Sequence, residues 1–223
     1  MFAAADVHYP PSGGARAALL LASDATFSKV ASEKTAFVEH VAPYQPGEFY
    51  RRELPPLRAV LASVDDFDLL IIDGYVTLDP DGKPGLGAYA HAEFGVPVIG
   101  VAKTRFAPAV HAIPVLRGNA TRPLYVTSAG IPPPDAAELV RTMTGKYRLP
   151  DALRRVDNLA RGHQTRNSLP FSYLFDEQAP ESYRDLQIAE SSDFTATPGE
   201  GWADGDCVET HNDGASAPTF LPG

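Results

Sequence analysis

The chain has a single cysteine, Cys207, a single tryptophan and two methionines among its 223 residues. One thiol cannot close an intramolecular disulfide, so a reducing compartment is the expected setting. No apolar run approaches the ~20 residues needed to span a bilayer, which removes the membrane from the expected partners. Met1–Ala5 is too short for a secretory leader and meets Asp6 at once, so a cytoplasmic location is expected. There is no internal repeat. Basic residues are scarce at one end: residues 165–223 hold eleven acids and two bases, a net charge of −9. The preceding residues hold 17 of each sign, so the body is neutral and the end acidic. A neutral body with local basic clusters remains compatible with nucleic acid.

What is present is an alternation of strand and helix signals. Leu69–Leu70–Ile71–Ile72 reads as a strand buried on both faces, ending on Asp73–Gly74. Ligands of open α/β sheets sit outside the carboxyl ends of such strands, where a carboxylate can reach a metal. Before it, Phe2–Tyr9, Ala15–Ser23 and Phe27–Val41 read as three strands of an antiparallel meander, with Asp6 near the end of the first. Pro43–Tyr44–Gln45–Pro46–Gly47 is a stiff connector that holds Tyr44 out on a rigid loop. Glu48 opens a helix to about Val64, with Phe49, Leu57, Val60 and Leu61 on its core side, Glu53 in its first part and a bend or restart at Pro55–Pro56.

Downstream, Gly85–Phe94 reads as a helix and Val98–Ala102 as a second doubly buried strand that ends at Lys103. Ile113–Arg117 and Leu124–Thr127 form a hairpin, and helices follow from Pro132 to about Thr144 and from about Pro150 to Ala160. From about Gln164 the periodicity is lost and acids dominate. Such composition does not offset ordering entropy, so two parts are expected: a folded domain over 1–163 and a mostly disordered acidic tail over 164–223. The fold class is α/β, a mixed β-sheet flanked by helices. Asp6, Glu53 and Asp73 fall near one region, and this order of elements and acids is that of an RNase H-like nuclease.

Several blocks carry a closer likeness. Asp6–Val7–His8–Tyr9, the Pro43–Gly47 loop, Arg52–Glu53–Leu54–Pro55–Pro56–Leu57, Leu69–Gly74 and Ile99–Arg105 together resemble the endonuclease V family, as do Arg122–Thr127 and Tyr147–Pro150. The likeness covers about residues 4–162. It implies an endonuclease acting near deaminated adenine (inosine) in DNA or single-stranded RNA, leaving a 3′-hydroxyl and a 5′-phosphate. It assigns metal binding to Asp6, Glu53 and Asp73, an active-site role to Lys103, strand wedging to Tyr44 on the Pro43–Pro46 loop, and a further polar or metal-site position to Asp157. Oxygen ligands of this kind suit Mg²⁺, with Mn²⁺ as a substitute. Arg51, Arg52, Lys103, Arg105, Arg117 and Arg122 are the bases available for phosphates, and a monomer is expected.

The chain departs from the family where Asp73–Gly74–Tyr75–Val76 stands in place of Asp-Gly-His-Gly, and where Asp79 stands in place of a later histidine. The family's N-terminal helix has no counterpart before Phe2, and the acidic tail is not a family feature. These departures frame the alternative: a catalytically eroded relative that binds nucleic acid or a protein.

Overall fold

The computed structural model describes residues 1–163 except Tyr44, Pro46, Gly47 and Asp65. The acidic stretch 164–223, and with it the expected division of the chain, lies outside the described residues. Eleven elements follow in the order β1 Phe2–His8, β2 Ala15–Ala22, β3 Val30–Val38, α1 Phe49–Leu61, β4 Leu69–Asp73, α2 Leu86–Phe94, β5 Val98–Ala102, β6 Ile113–Val115, β7 Leu124–Ala129, α3 Pro133–Thr142 and α4 Asp151–Ala160. The strands form one sheet in the order β3-β2-β1-β4-β5-β7-β6. The three central strands β1, β4 and β5 are parallel, and the outer ones are antiparallel. Among the described residues no helix is long and apolar enough to cross a membrane.

The run of aliphatic residues in β4 is buried because helices cover both faces of the sheet. By the alternation of a strand, Ile71 and its neighbours Ala4, Leu20, Ile99 and Val101 pack against Val140, Leu153 and Val156 of α3 and α4. Leu70 and Ile72, with Ala3, Ala5, Leu19 and Val98, pack against Leu57, Val60 and Leu61 of α1 and Leu86 and Ala90 of α2. Each fully buried aliphatic side chain contributes about 1.5–3 kcal/mol relative to exposure. Three consecutive alanines in β1 keep this inner strand thin, so helices approach it from both sides.

Three sequence readings need correction. The third strand is shorter at its start, because Asp24 accepts hydrogen bonds from Thr26, Ser28 and Lys29 and closes the preceding turn. Phe49 is 44% exposed rather than on the core side of α1. Pro55 and Pro56 lie within α1, which runs on through Leu61 and does not restart at them.

Arg117 also departs from its expected role as a phosphate contact. It is 5% exposed, and its guanidinium donates to the carbonyls of Arg141, Met143, Gly145, Tyr147 and Arg148. It pins the loop between α3 and α4 to the end of β6. Arg117→Ala leaves these buried acceptors without a donor, so a loss of about 2–3 kcal/mol is expected in urea unfolding. An unchanged midpoint would mean that water replaces the guanidinium without cost.

Candidate active site

Register brings the site together. The β1–β4 ladder pairs Ala5 with Ile72, so Asp6 and Asp73 come next on adjacent parallel strands. The β4–β5 ladder pairs Asp73 with Val101, and Lys103 lies two residues beyond Val101 on the same face. Asp6, Asp73 and Lys103 thus line one hollow at the carboxyl ends of three neighbouring strands, floored by Ala5 and Val101 and walled by Leu149, Leu153 and Val156. The Lys103 ammonium lies 2.7 Å from Asp73 Oδ2 and 3.9 Å from Asp157 Oδ1. Asp157 extends from α4 beside the buried Val156 and also receives Arg161 Nε at 3.0 Å and Nη2 at 3.3 Å.

Glu53 reaches the same end of the sheet from the opposite face, on α1, and is 6% exposed. A proline supplies part of its setting. Pro56 has no N–H to give the Arg52 carbonyl, and that carbonyl instead accepts the Tyr9 hydroxyl at 3.1 Å. The Arg52 guanidinium stacks 3.7 Å from the centre of the Tyr9 ring. Tyr9 and Arg52 are therefore both fixed beside the Glu53 carboxyl.

The electrostatics record an excess of negative charge. Burial, then Asp73 and Asp157, push Asp6 up from 3.8 to about 7, although Lys103 and the Val7 amide act the other way. Burial, with Asp6 and Asp73 adding to it, pushes Glu53 from 4.5 to about 8 against the opposing Tyr9 and Arg52. Burial alone would lower the Lys103 ammonium, but Asp73, Asp6 and Asp157 outweigh it and hold it above its ordinary value. Asp157 is pulled up by burial and more strongly down by Arg161 and Lys103, ending below its usual range. Two carboxyls short of positive charge beside two that are paired form an all-oxygen donor set that suits a hard divalent cation. Among the described residues no three acidic, histidine or cysteine side chains already converge as a cage. Lys103 supplies the local positive charge between Asp73 and Asp157.

A family model for endonuclease V matches residues 1–116. The chain belongs to the endonuclease V family. Endonuclease V from Streptomyces avermitilis is 32% identical over 180 residues, covering 70% of this chain and 77% of that protein. The crystal structure of the endonuclease V from that organism superposes with a TM-score of 0.61 at 30% identity, covering 72% of this chain and 79% of the other. The endonuclease V of Ciona intestinalis, in complex with a 23-mer DNA containing an inosine followed by a ribo-adenosine, has the same fold, with a TM-score of 0.63 at 17% identity. It covers 72% of this chain and 83% of its own. The chain is thus an endonuclease homologue of the hydrolase class, built on the mixed α/β sheet expected of it.

The residues that depart from the family's Asp-Gly-His-Gly block point away from the carboxylates. Gly74 takes a φ of 115°, and Gly100 leaves room for the turn, since a Cβ there would come within 2.6 Å of the Gly74 carbonyl oxygen. Val76 is fully buried in the core beneath α2 and its amide donates to Thr127 Oγ1 at 2.8 Å. It therefore does not wall off the hollow. The Tyr75 hydroxyl donates to the Thr104 carbonyl and accepts from the Phe106 amide, tying the β4 exit loop to the segment that follows Lys103. Asp79 caps its own turn by accepting from the Lys83 amide.

Of the other expected contacts, Arg105 is exposed beyond that segment, while Tyr44 and Pro46 lie outside the described residues. His91 Nδ1 meets the Val96 carbonyl and His111 Nε2 the Thr77 hydroxyl, while His111 Nδ1 is buried without a partner among the described residues. Sequence reasoning gave no role to Tyr9. The missing signal for Tyr9 was local: a proline inside a helix frees one particular carbonyl, four residues back.

Proposed function

We propose that this chain is a Mg²⁺-dependent endonuclease that hydrolyses a phosphodiester near inosine in DNA or RNA, with Mn²⁺ able to replace Mg²⁺. The observation that carries this reading is the meeting of Asp6, Asp73 and Lys103 in one hollow, with Glu53 close enough for the charges of Asp6 and Asp73 to raise its proton affinity. Inosine as the lesion is supported by membership of the family and by the inosine-containing DNA held by the Ciona relative.

Asp6 and Asp73 would hold the cation most directly, and Glu53 would complete its oxygen shell or orient a water. When bound, the ion would supply charge neutralisation at the phosphate and a more acidic attacking water. Lys103 releases Asp73 to that role and turns its ammonium to the scissile phosphate, a move of one flexible side chain between two anions. Asp157, itself paired with Arg161, holds the far side of the lysine. Arg52 and Arg105 would meet phosphates on either side, and Tyr44 with Pro46 would wedge the strand. The active reading is favoured over an eroded one because Tyr75, Val76 and Asp79 are engaged in folding contacts outside the hollow.

The test uses a labelled inosine-containing strand, with adenosine in the same position as control and with Mg²⁺ present or chelated. Cutting confined to inosine and to Mg²⁺ is expected. Lys103→Ala should lower kcat about a hundredfold with a smaller effect on KM, as for removal of one group that steadies developing charge. Equal cutting of the adenosine control would replace the lesion reading with that of a general nuclease.

A further inference from the structure

One row of the sheet beside the carboxylates has no part in the proposed reaction. The antiparallel ladders set His8 opposite Arg16, and Arg16 opposite Phe37. Directly opposed residues share a face, and alternation makes it the face of Asp6, the one that α4 covers. The end of α4 comes down over this row: a Cβ on Gly162 would collide with the Arg16 guanidinium, which puts Arg161 and His163 beside it. β3 is the outer strand of the sheet, and Phe37 is 55% exposed there, its ring covering Gly14 on one side. Arg16 makes no ion pair among the described residues, while Arg161 is bound to Asp157 and so joins the patch to the hollow.

A free guanidinium next to an exposed ring is the pairing that single strands use: the cation meets a phosphate and the ring takes an unpaired base. A duplex keeps its bases stacked on one another and offers no face to Phe37. We propose that Arg16 and Phe37, with His8 and Arg161 beside them, form a platform for a single-stranded flank of the nucleic acid bound at the carboxylates. This rests on the nuclease reading and extends it, since it selects unpaired substrate. The chemistry is common to DNA and RNA.

The experiment measures binding of the full chain by fluorescence anisotropy in chelator, where nothing is cut. The probes are an inosine-containing single strand in deoxy and in ribo form, and the deoxy strand annealed to its complement. Phe37→Ala is expected to weaken single-strand binding at least about fivefold and to leave the duplex unchanged. Arg16→Gln is expected to reduce the salt slope on the single strand by about 0.7. Both positions are at the surface, and thermal melts check that both variants fold. A loss confined to one sugar assigns the platform to that nucleic acid, and a loss on both assigns it to their shared phosphate and base. Unchanged affinity, or an equal loss on single strand and duplex, would overturn the proposal. So would tighter binding by Arg16→Gln, which would mean that an anion of the chain itself holds the surface. If the wild type cuts no inosine strand yet Phe37→Ala still weakens single-strand binding, the catalytic reading fails and the platform stands.

Discussion

Asp73→Asn should lower the single-turnover rate of cleavage by at least about a thousandfold while the folded protein survives. Asparagine keeps the shape and one oxygen but removes the charge that would hold a divalent ion. A bound ion is worth several kcal/mol to a phosphoryl transition state, and each 1.36 kcal/mol is a factor of ten. The cost to folding is small. Asp73 is 38% exposed on its side chain, and its pair with Lys103 is of the solvent-screened kind worth about 0–1 kcal/mol. Asp6→Asn should be similar in rate, since Asp6 occupies the adjacent strand at the same level of the sheet. Rate and thermal melt are measured on the same preparation. Cleavage within about tenfold of wild type in either variant would remove these two carboxylates from the reaction and leave the hollow a structural feature.

How much of this could be read from the chain follows from the range over which each determinant acts. The doubly buried strands β4 and β5 were legible because short, almost wholly apolar runs fit little else, and the proposed site residues stand at their ends: Asp73 closes β4 and Lys103 follows β5. Asp6, Glu53 and Asp73 were legible as a group through the order of elements. The register was not: whether Asp6 and Asp73 sit level depends on the pairing of Ala5 with Ile72, a contact between residues far apart in sequence. Asp157 was read only as a secondary position because its partner Lys103 comes from another element, while Arg154 and Arg161 both lie at helical spacing from it. Arg117 was misread for a related reason: a loop arginine looks exposed until the carbonyls of the α3–α4 connection close around it. Val76 was read as a threat to the site because the family places glycine there. Its burial depends on Gly87 in α2, whose missing side chain makes room for it: a Cβ there would lie 2.6 Å from Val76 Cγ2.

The melting temperature of the metal-free protein should fall as pH rises, and a divalent cation should reverse the trend. The sign follows from two groups. Asp6 is raised from 3.8 to about 7 and Glu53 from 4.5 to about 8. Between those limits the folded chain binds protons that the unfolded chain has released, so ∂ΔG/∂pH of unfolding is negative. Stability is thus greatest below about pH 4 as far as these two groups are concerned, declines towards about pH 8 and levels off above. A cation competes with the same protons, so its stabilising effect should be larger at about pH 8 than at about pH 6. Glu53→Gln separates this account from general charge repulsion. The amide keeps the volume at a site 6% exposed and can accept the same bonds, but it never carries the buried charge. The variant should melt higher than wild type at about pH 8 without metal, show a flatter decline, gain less from Mg²⁺ and lose most cleavage. A wild-type melting temperature that climbs steadily from about pH 5 to about pH 8 in chelator would mean that these carboxyls are already ionised in the folded chain and hold no extra protons there. An undiminished Mg²⁺ response in Glu53→Gln would place the cation away from α1.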